Sequence, residues 1–277
     1  MAQPHSCSQS AMTEPFLKWA GGKRWLVSSG LLRKPKQYDR FIEPFLGGGA
    51  VFFHLTPPLA LLSDINPDLI ELYKSMRNDP AQLQLHMKEH QKNHSKIYYY
   101  DVRDQQPKTA LLRAARLLYL NRTCWNGLYR VNMKGEFNVP KGTKDTVLFR
   151  AEDFTSFAKA LEGADLLCSD FEPIINRAGA GDFLFVDPPY TVKHNVNGFI
   201  KYNEQLFSWE DQVRLRDAVS RACARGAAVI MTNADHQSVR DLYADVLAYS
   251  TVERHSVLAG EASRRGKTTE ALFTHNI

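Results

Sequence analysis

The sequence predicts a doubly wound α/β fold: a mostly parallel sheet with helices on both faces, carrying an inserted and mainly helical subdomain. Three observations predict it. Strand-like apolar runs alternate with helical stretches over residues 40–67 and again over 164–275, the pattern of a sheet built from crossover connections. Between about 68 and 152 the alternation stops and helical periodicity takes over. The run Asp182-Phe183-Leu184-Phe185-Val186 reads as a strand buried on both faces, and Pro188-Pro189 ends it abruptly.

Taken in order, residues 1–15 are polar and read as a disordered tail, within which Met12 is an alternative start. Residues 40–43 form the first strand, followed by Pro44-Phe45-Leu46, the triplet Gly47-Gly48-Gly49 and a short apolar helix over 50–55. A second strand over 59–63 ends at Asp64, and Pro67 starts a helix to about Met76, since Pro suits a first helical turn. Helical periodicity covers 80–96 and 108–122, with Leu111, Leu112, Ala115, Leu118 and Tyr119 on one face. Residues 124–142, rich in Asn, Gly and Lys, are too polar for core and read as a hairpin or ordered loop. Strands at 164–169 and 183–186 flank a helix from Pro173. Residues 209–224 form a helix, 227–231 a strand ending at Thr232-Asn233, and 236–243 another helix; 246–255 and 271–275 close the sheet as a strand pair.

Composition narrows the function classes. A chain of 277 residues suits one large domain or a domain with an insertion. No apolar stretch approaches the roughly 20 residues a membrane helix needs. The first residues lack the apolar core of a signal peptide, so a cytoplasmic protein is expected. Cys7, Cys124, Cys168 and Cys223 are scattered, without metal-type pairing, and are expected as free thiols. His86, His90 and His94 recur every four residues, but no supporting carboxylate or Cys accompanies them, so a solvated face is expected and no metal. Net charge is +5, yet residues 86–150 hold 13 Lys/Arg against 5 Asp/Glu, a surplus of 8 that leaves the remainder at about −3. A basic insertion in a slightly acidic protein suits a polyanion; an exposed basic helical face is the alternative.

The chemistry concentrates at strand ends, where ligands bind in open α/β sheets. Asp187-Pro188-Pro189-Tyr190 offers an acceptor side chain, a rigid carbonyl and an aromatic ring. Together they suit an exocyclic amine on a base, although a Pro-capped turn alone is the plain alternative. Glu43-Pro44-Phe45-Leu46-Gly47-Gly48-Gly49 lets backbone approach a ligand, but Phe52 occupies the third glycine position of the dinucleotide fingerprint. Glu43 would also repel a pyrophosphate, and Asp64 is placed to accept ribose hydroxyls. A nucleoside without phosphates, of which S-adenosylmethionine is one, fits; structural turns at both places are the alternative. Lys18-Trp19-Ala20-Gly21-Gly22-Lys23 combines an aromatic wall with an ammonium in a segment with no obvious core role, and lacks the full phosphate-loop pattern.

Asn121-Arg122-Thr123-Cys124-Trp125-Asn126-Gly127-Leu128-Tyr129-Arg130-Val131-Asn132, running on through Gly135-Glu136-Phe137-Asn138-Val139-Pro140, completes a set. With Lys18–Lys23, Glu43–Gly49, Asp64 and Asp187–Tyr190 in this order, the chain from about Phe16 onward resembles the Dam-type family of DNA adenine N6-methyltransferases, the α-group with a DPPY motif. The resemblance implies a Rossmann-like methyltransferase sheet, with 16–67 and 153–277 forming the cofactor-binding catalytic domain and 68–152 the target-recognition subdomain. It implies S-adenosylmethionine contacts at Trp19, Lys23, Glu43, Pro44, Phe45, Gly47, Asp64, Asp170, Phe171 and Asp187, and catalysis at Asp187, Pro188 and Tyr190. For duplex DNA it implies Lys18 and Arg130 reading guanines, Trp125 filling the gap of a flipped adenine, Leu128 and Pro140 in apolar base contacts, and Asn126 and Asn132 beside them. Tyr202 and Phe207 match a segment closing over the target. Ser263, Arg264, Arg265, Lys267 and Glu270 match a basic C-terminal loop and last strand. Lys141 departs from the aromatic often found after the family's Pro140 position.

The reaction so implied needs no covalent nucleophile: Asp187 and Pro188 accept both amine hydrogens and the nitrogen attacks a sulfonium methyl. The base must leave the duplex to do so. By resemblance the site is GATC, and the enzyme a monomer or weak dimer of bacterial or phage origin, working at the nucleoid alone or beside a cognate restriction endonuclease. RNA methylation and an inactive DNA-binding protein are the competing readings. An NAD-dependent oxidoreductase fails on the missing glycine.

Overall fold

The expected strands pair into one sheet. The structure is a computed structural model and describes residues 14–132, 135–193, 207–255 and 267–277. Its strands are β1 (Arg40–Glu43), β2 (Ala60–Asp64), β3 (Ala164–Cys168), β4 (Asp182–Val186), β5 (Ala228–Ala234), β6 (Ala248–His255) and β7 (Lys267–His275). They lie in the order β3-β2-β1-β4-β5-β7-β6, with β7 antiparallel to both neighbours and the others parallel. Successive strand residues point to opposite faces. Phe41, Leu62, Phe183, Phe185 and Ile230 thus enter one core, and Ile42, Leu61, Leu184, Val186, Val229 and Met231 the other. A strand covered on both faces reads as an unbroken apolar run, which is why 182–186 shows no alternation.

The helices are α1 (Arg24–Ser28), α2 (Ala50–Leu55), α3 (Pro67–Asn78), α4 (Pro80–Asn93), α5 (Lys96–Asp104), α6 (Ala110–Thr123), α7 (Ala151–Leu161), α8 (Phe171–Ile175), α9 (Trp209–Ala224) and α10 (Gln237–Tyr243). Local chemistry sets their starts. Asn66 accepts from the backbone N–H groups of Asp68 and Leu69 and precedes Pro67, while Ser208 and Asp211 form a reciprocal cap on α9. Helix α3 packs on β2 and β3 and also against α6 and α7, joining the sheet to the inserted helices through one core.

Three local readings differ from the structure. The stretch expected as one helix over 80–96 breaks at His94, because Ser95 accepts from the Tyr98 N–H and starts α5. Helix α6 is covered on several sides by α3, α4 and α5, so Ala114 and Leu117 are buried with Leu118, whereas Leu112 is exposed. The polar stretch 124–142 is a hairpin-like loop bridged at Cys124–Lys141 and Val131–Phe137, and it does contribute to core: Phe137 and Val139 are buried. Helix α7, absent from the sequence reading, buries Phe154, Phe157 and Leu161 at helical spacing.

Among the described residues no helix is long and apolar enough to cross a membrane. Cys124, Cys168 and Cys223 are free, and Cys7 lies outside the described residues.

Candidate active site

Strand order reverses between β1, with its neighbour β2, and β4, and such a switch point opens a crevice beyond the strands' carboxyl ends. Four carboxyl groups gather there. Glu43 ends β1, Asp64 ends β2, and Asp187 follows β4. Glu270 arrives from the other direction: because β7 runs antiparallel, it pairs with Ala234 at the end of β5.

One buried ammonium serves this group. Lys23, just before α1 and only 3% exposed, places Nζ 2.8 Å from Asp187 Oδ1 and 3.7 Å from Glu270 Oε2, and donates to the Gly21 carbonyl at 2.7 Å. Thr232 Oγ1 donates to the same Asp187 oxygen at 2.8 Å. Both contacts fall on Oδ1, which fixes the carboxylate plane and leaves Oδ2 for an incoming donor. Burial raises the Asp187 pKa above the usual carboxylate range, outweighing Lys23 and Thr232, which pull it down. Tyr190 donates its hydroxyl to Glu270 Oε2 at 2.6 Å, a short charge-assisted bond, and its ring lies under Lys23 Nζ at 5.0 Å. Burial, then Asp187 and Glu270, hold the Tyr190 phenol protonated, far above its ordinary range. Sequence reasoning left Thr232 and Glu270 outside the site; only the register of β5 and β7 brings them to it.

The glycine turn packs on the Trp19 indole. Gly47 has φ +47°, and a Cβ there would stand 2.7 Å from Trp19 Cδ1, so only glycine fits. Asp64 accepts from Gly47 N–H and Asn66 N–H, both at 3.0 Å, while Tyr73 donates to the Gly47 carbonyl. Glu43 is 3% exposed, and its Oε2 has no hydrogen-bond partner among the described residues. Burial, with Asp187 and Asp64 adding to it, raises its pKa well above its ordinary value, against the Phe52 backbone N–H. Pro44 is buried beneath, accepting from the Ser63 hydroxyl. Phe45 stacks on Phe171 (5.4 Å) and meets Phe207 edge-on, making an aromatic wall beside the turn. Asp170 caps α8 through Glu172 N–H and pairs with Arg214 at 2.9 Å.

A nucleoside with a cationic tail fits these residues. An orphaned buried carboxyl, a further carboxylate aimed at the crevice, a side-chain-free turn and aromatic walls are its complements. Among the described residues no group of His, Cys, Asp or Glu is arranged to hold a metal ion. The helical histidines are not a solvated face. His90 stacks on Tyr119 and bonds Tyr98, and His94 bonds Tyr119 across α4, α5 and α6.

The second set of candidate residues lies alongside. Asn121, buried on α6, accepts from Lys18 N–H and donates to the Lys18 and Gly127 carbonyls, tying the segment before α1 to the turn at 125–127. Gly127, at φ +67°, admits the Lys18 side chain, which a Cβ would meet at 2.6 Å. A cavity of about 190 Å³ separates Lys18 from Trp125 and Asn126. Burial and the nearby Lys144 lower the Lys18 pKa. Trp125 is 53% exposed, and its backbone N–H donates to the Pro140 carbonyl. Arg130 is exposed and donates from Nε to Asn138, a bond that uses neither of its terminal nitrogens. Leu128 is half-buried. The Asn132 amide binds Glu136 across the loop tip. Tyr202, Ser263, Arg264 and Arg265 lie outside the described residues, and Phe207 closes on Phe45 and Phe171.

Residues 19–258 match the family model described as D12 class N6 adenine-specific DNA methyltransferase. The chain is 37% identical over 270 residues to the type II methyltransferase M1.LlaDCHI of Lactococcus lactis subsp. cremoris, covering 94% of this chain and 95% of that protein. It is 34% identical to a DNA adenine methylase of Vibrio cholerae, over 95% and 96% of the two chains. For a DNA adenine methylase of Escherichia coli K12 the identity is 32%, over 90% and 91%.

Proposed function

The chain belongs to the D12 class of N6 adenine-specific DNA methyltransferases, dependent on S-adenosylmethionine, and on that footing we propose that the crevice between β1 and β4 is where the methyl group is transferred. Bound there, S-adenosylmethionine supplies an electrophilic methyl on sulfur. Trp19, Lys23, Glu43, Pro44, Phe45, Gly47, Asp64, Asp170 and Phe171 would hold it. Asp64 would accept its ribose hydroxyls, Phe45 and Phe171 would face its adenine beside Asp170, and Glu43 and Asp187 would face its positive end.

The observation that carries the catalytic assignment is the double engagement of Asp187 Oδ1 by Lys23 and Thr232. It leaves Oδ2 to accept one hydrogen of an adenine amine, with the adjacent Pro188 carbonyl in this reading accepting the other. Accepting both pulls the nitrogen toward tetrahedral geometry and frees its lone pair, which in the ring-conjugated amine is delocalised. Asp187 Oδ2 is also placed to take the proton the amine sheds. Tyr190, its hydroxyl fixed by Glu270, offers a ring on which the base stacks. This is positioning and electrostatic catalysis on an extrahelical base.

Residues 68–152, with the segment around Lys18, serve target recognition in this reading, and Trp125 fills the stack the adenine leaves. The free terminal nitrogens of Arg130 suit guanine O6 and N7, and Lys18 suits a second guanine. Leu128 and Pro140 supply apolar contacts, with Asn126 and Asn132 shaping the turn beneath them. The target is GATC, modified in the cytoplasm at the nucleoid. A cognate restriction endonuclease is a fitting partner, in line with the type II methyltransferases among the relatives. Nucleoside mass spectrometry on unmethylated duplexes with and without GATC tests the target. N6-methyladenine only with GATC supports it; equal methylation of both discards the site and keeps the reaction.

A further inference from the structure

The crevice is short of positive charge. Glu43, Asp64, Asp187 and Glu270 converge on it from β1, β2, β4 and β7, with Lys23 the buried cation among the described residues that pairs with any of them. Lys23 reaches Asp187 and Glu270. Asp64 is held by two backbone N–H groups. Glu43 is left: fully enclosed, with one oxygen lacking a partner and no cation within ion-pair distance among the described residues, and two other carboxyl groups close enough to act on it. Among the described residues the remaining titratable groups facing this cluster are the Tyr73 and Tyr190 phenols, both driven by burial well above their ordinary range. Neither supplies a countercharge. An unpaired charge buried this way is costly, so the free site keeps a proton.

We propose that Glu43 is the residue by which the enzyme discriminates its sulfonium cofactor from the thioether product, through a proton released when the cofactor binds. The inference rests on placing S-adenosylmethionine in this crevice. The cofactor carries a sulfonium, an ammonium and a carboxylate, net +1; S-adenosylhomocysteine lacks the sulfonium charge and is net neutral. When the cationic ligand enters, the Glu43 carboxylic acid gives its proton to solvent and remains as a carboxylate beside the new charge. Methyl transfer removes that charge. Glu43 then recovers a proton from solvent, and the product loses the partner that held it. Cofactor affinity accordingly rises with pH, as the competing proton is removed, and product affinity rises less.

Calorimetric titration of the full chain at pH 7, repeated in buffers of different ionisation enthalpy, counts the protons. We expect S-adenosylmethionine to release a substantial fraction of one proton per site and S-adenosylhomocysteine clearly less. In Glu43→Gln, which keeps the shape and removes the ionisation, both releases shrink. The preference for cofactor over product falls by about tenfold, the ratio matching one pKa unit of differential interaction. Equal proton release by the two ligands in the unmodified protein, or an unchanged count in Glu43→Gln, overturns the inference while leaving the crevice as the binding site. Asp64→Ala and Trp19→Ala separate the two ideas: cofactor affinity unchanged in both would remove the crevice assignment and the inference with it.

Discussion

The Trp19 indole lies flat on the Tyr129 ring, centroids 4.9 Å apart and planes 17° from parallel. Trp19 also packs against the glycine turn at 47–48, and Tyr129 sits between Leu128 and Arg130 in the loop rich in candidate base contacts. The glycine turn and the 124–142 loop, proposed to hold cofactor and target, are therefore connected by one pair of rings. Stacked pairs contribute roughly 0.5–1.5 kcal/mol beyond their burial. Tyr129→Ala is expected to weaken S-adenosylmethionine binding and to raise the KM for DNA, each by about two- to tenfold. Equilibrium cofactor binding and steady-state kinetics on the same variant check this; an effect on DNA alone would mean that the stack carries no coupling.

Thr232 holds Asp187 through its hydroxyl and also bonds Tyr190, so its loss is expected to act on the catalytic step through these two residues. Thr232→Val keeps volume and removes the hydrogen bond to Oδ1, so the carboxylate is fixed by Lys23 alone. Loss of one such bond corresponds to about a five- to tenfold fall in kcat, with cofactor and DNA affinities unchanged. Asp187→Ala should lower kcat by about 10² or more. Retained turnover in Asp187→Ala would remove the catalytic assignment.

Glu270 anchors Tyr190 and shares Lys23. Glu270→Gln replaces a charge-assisted acceptor with a neutral one and is expected to reduce kcat by roughly tenfold. A drop in thermal stability with unchanged kcat would make Glu270 a purely structural member of the strand.

Much of this was legible in the chain. The unbroken apolar run before Asp187-Pro188 and the strand–helix alternation follow from burial on both faces of a parallel sheet, a signal that survives in composition. The residues missed are those placed by pairing register. Glu270 looks like an ordinary polar residue near a strand start, and only its position opposite Ala234 brings it to Lys23. Helix α5 was missed because Tyr98-Tyr99-Tyr100 suggests a strand more than a helix, and the Ser95 cap decides otherwise. Lys23 is named from the sequence as a ligand-facing ammonium, but its burial and its pairing with Asp187 and Glu270 are not legible there, because those carboxyl groups lie far along the sequence.

The histidines packed between α4 and α6 are expected to make stability depend on pH. Burial, followed by repulsion from His86, lowers the His90 pKa to about 4, against 6.5 in the unfolded chain. His94 is lowered as well, mainly by burial and then by Lys141. Groups depressed in the fold bind more protons when unfolded, so their contribution is complete above about pH 6.5 and is lost as pH falls toward 4. For His90 that is on the order of 2–3 kcal/mol. Urea melts at pH 7.5 and 5.0 should show the loss, and His90→Phe, which preserves the stack on Tyr119, should flatten it. An unchanged slope in His90→Phe would assign the acid sensitivity to other groups.

Arg130 separates reading of sequence from simple attraction to phosphate. Its Nε donates to Asn138 at 2.8 Å, which restrains the guanidinium and uses neither terminal nitrogen. A fork held this way can match both guanine acceptors, whereas a phosphate contact needs only charge. Arg130→Ala is expected to cut discrimination at one guanine by about 1–3 kcal/mol, measured as kcat/KM on matched duplexes differing at that base. Arg130→Lys keeps the charge and loses the fork, so it should restore affinity without restoring discrimination. Asn138→Ala frees the guanidinium to rotate and should relax the same guanine by a smaller factor. If Arg130→Ala instead weakens all duplexes equally and lowers the salt dependence of binding, the residue is a backbone contact and the guanine is read elsewhere.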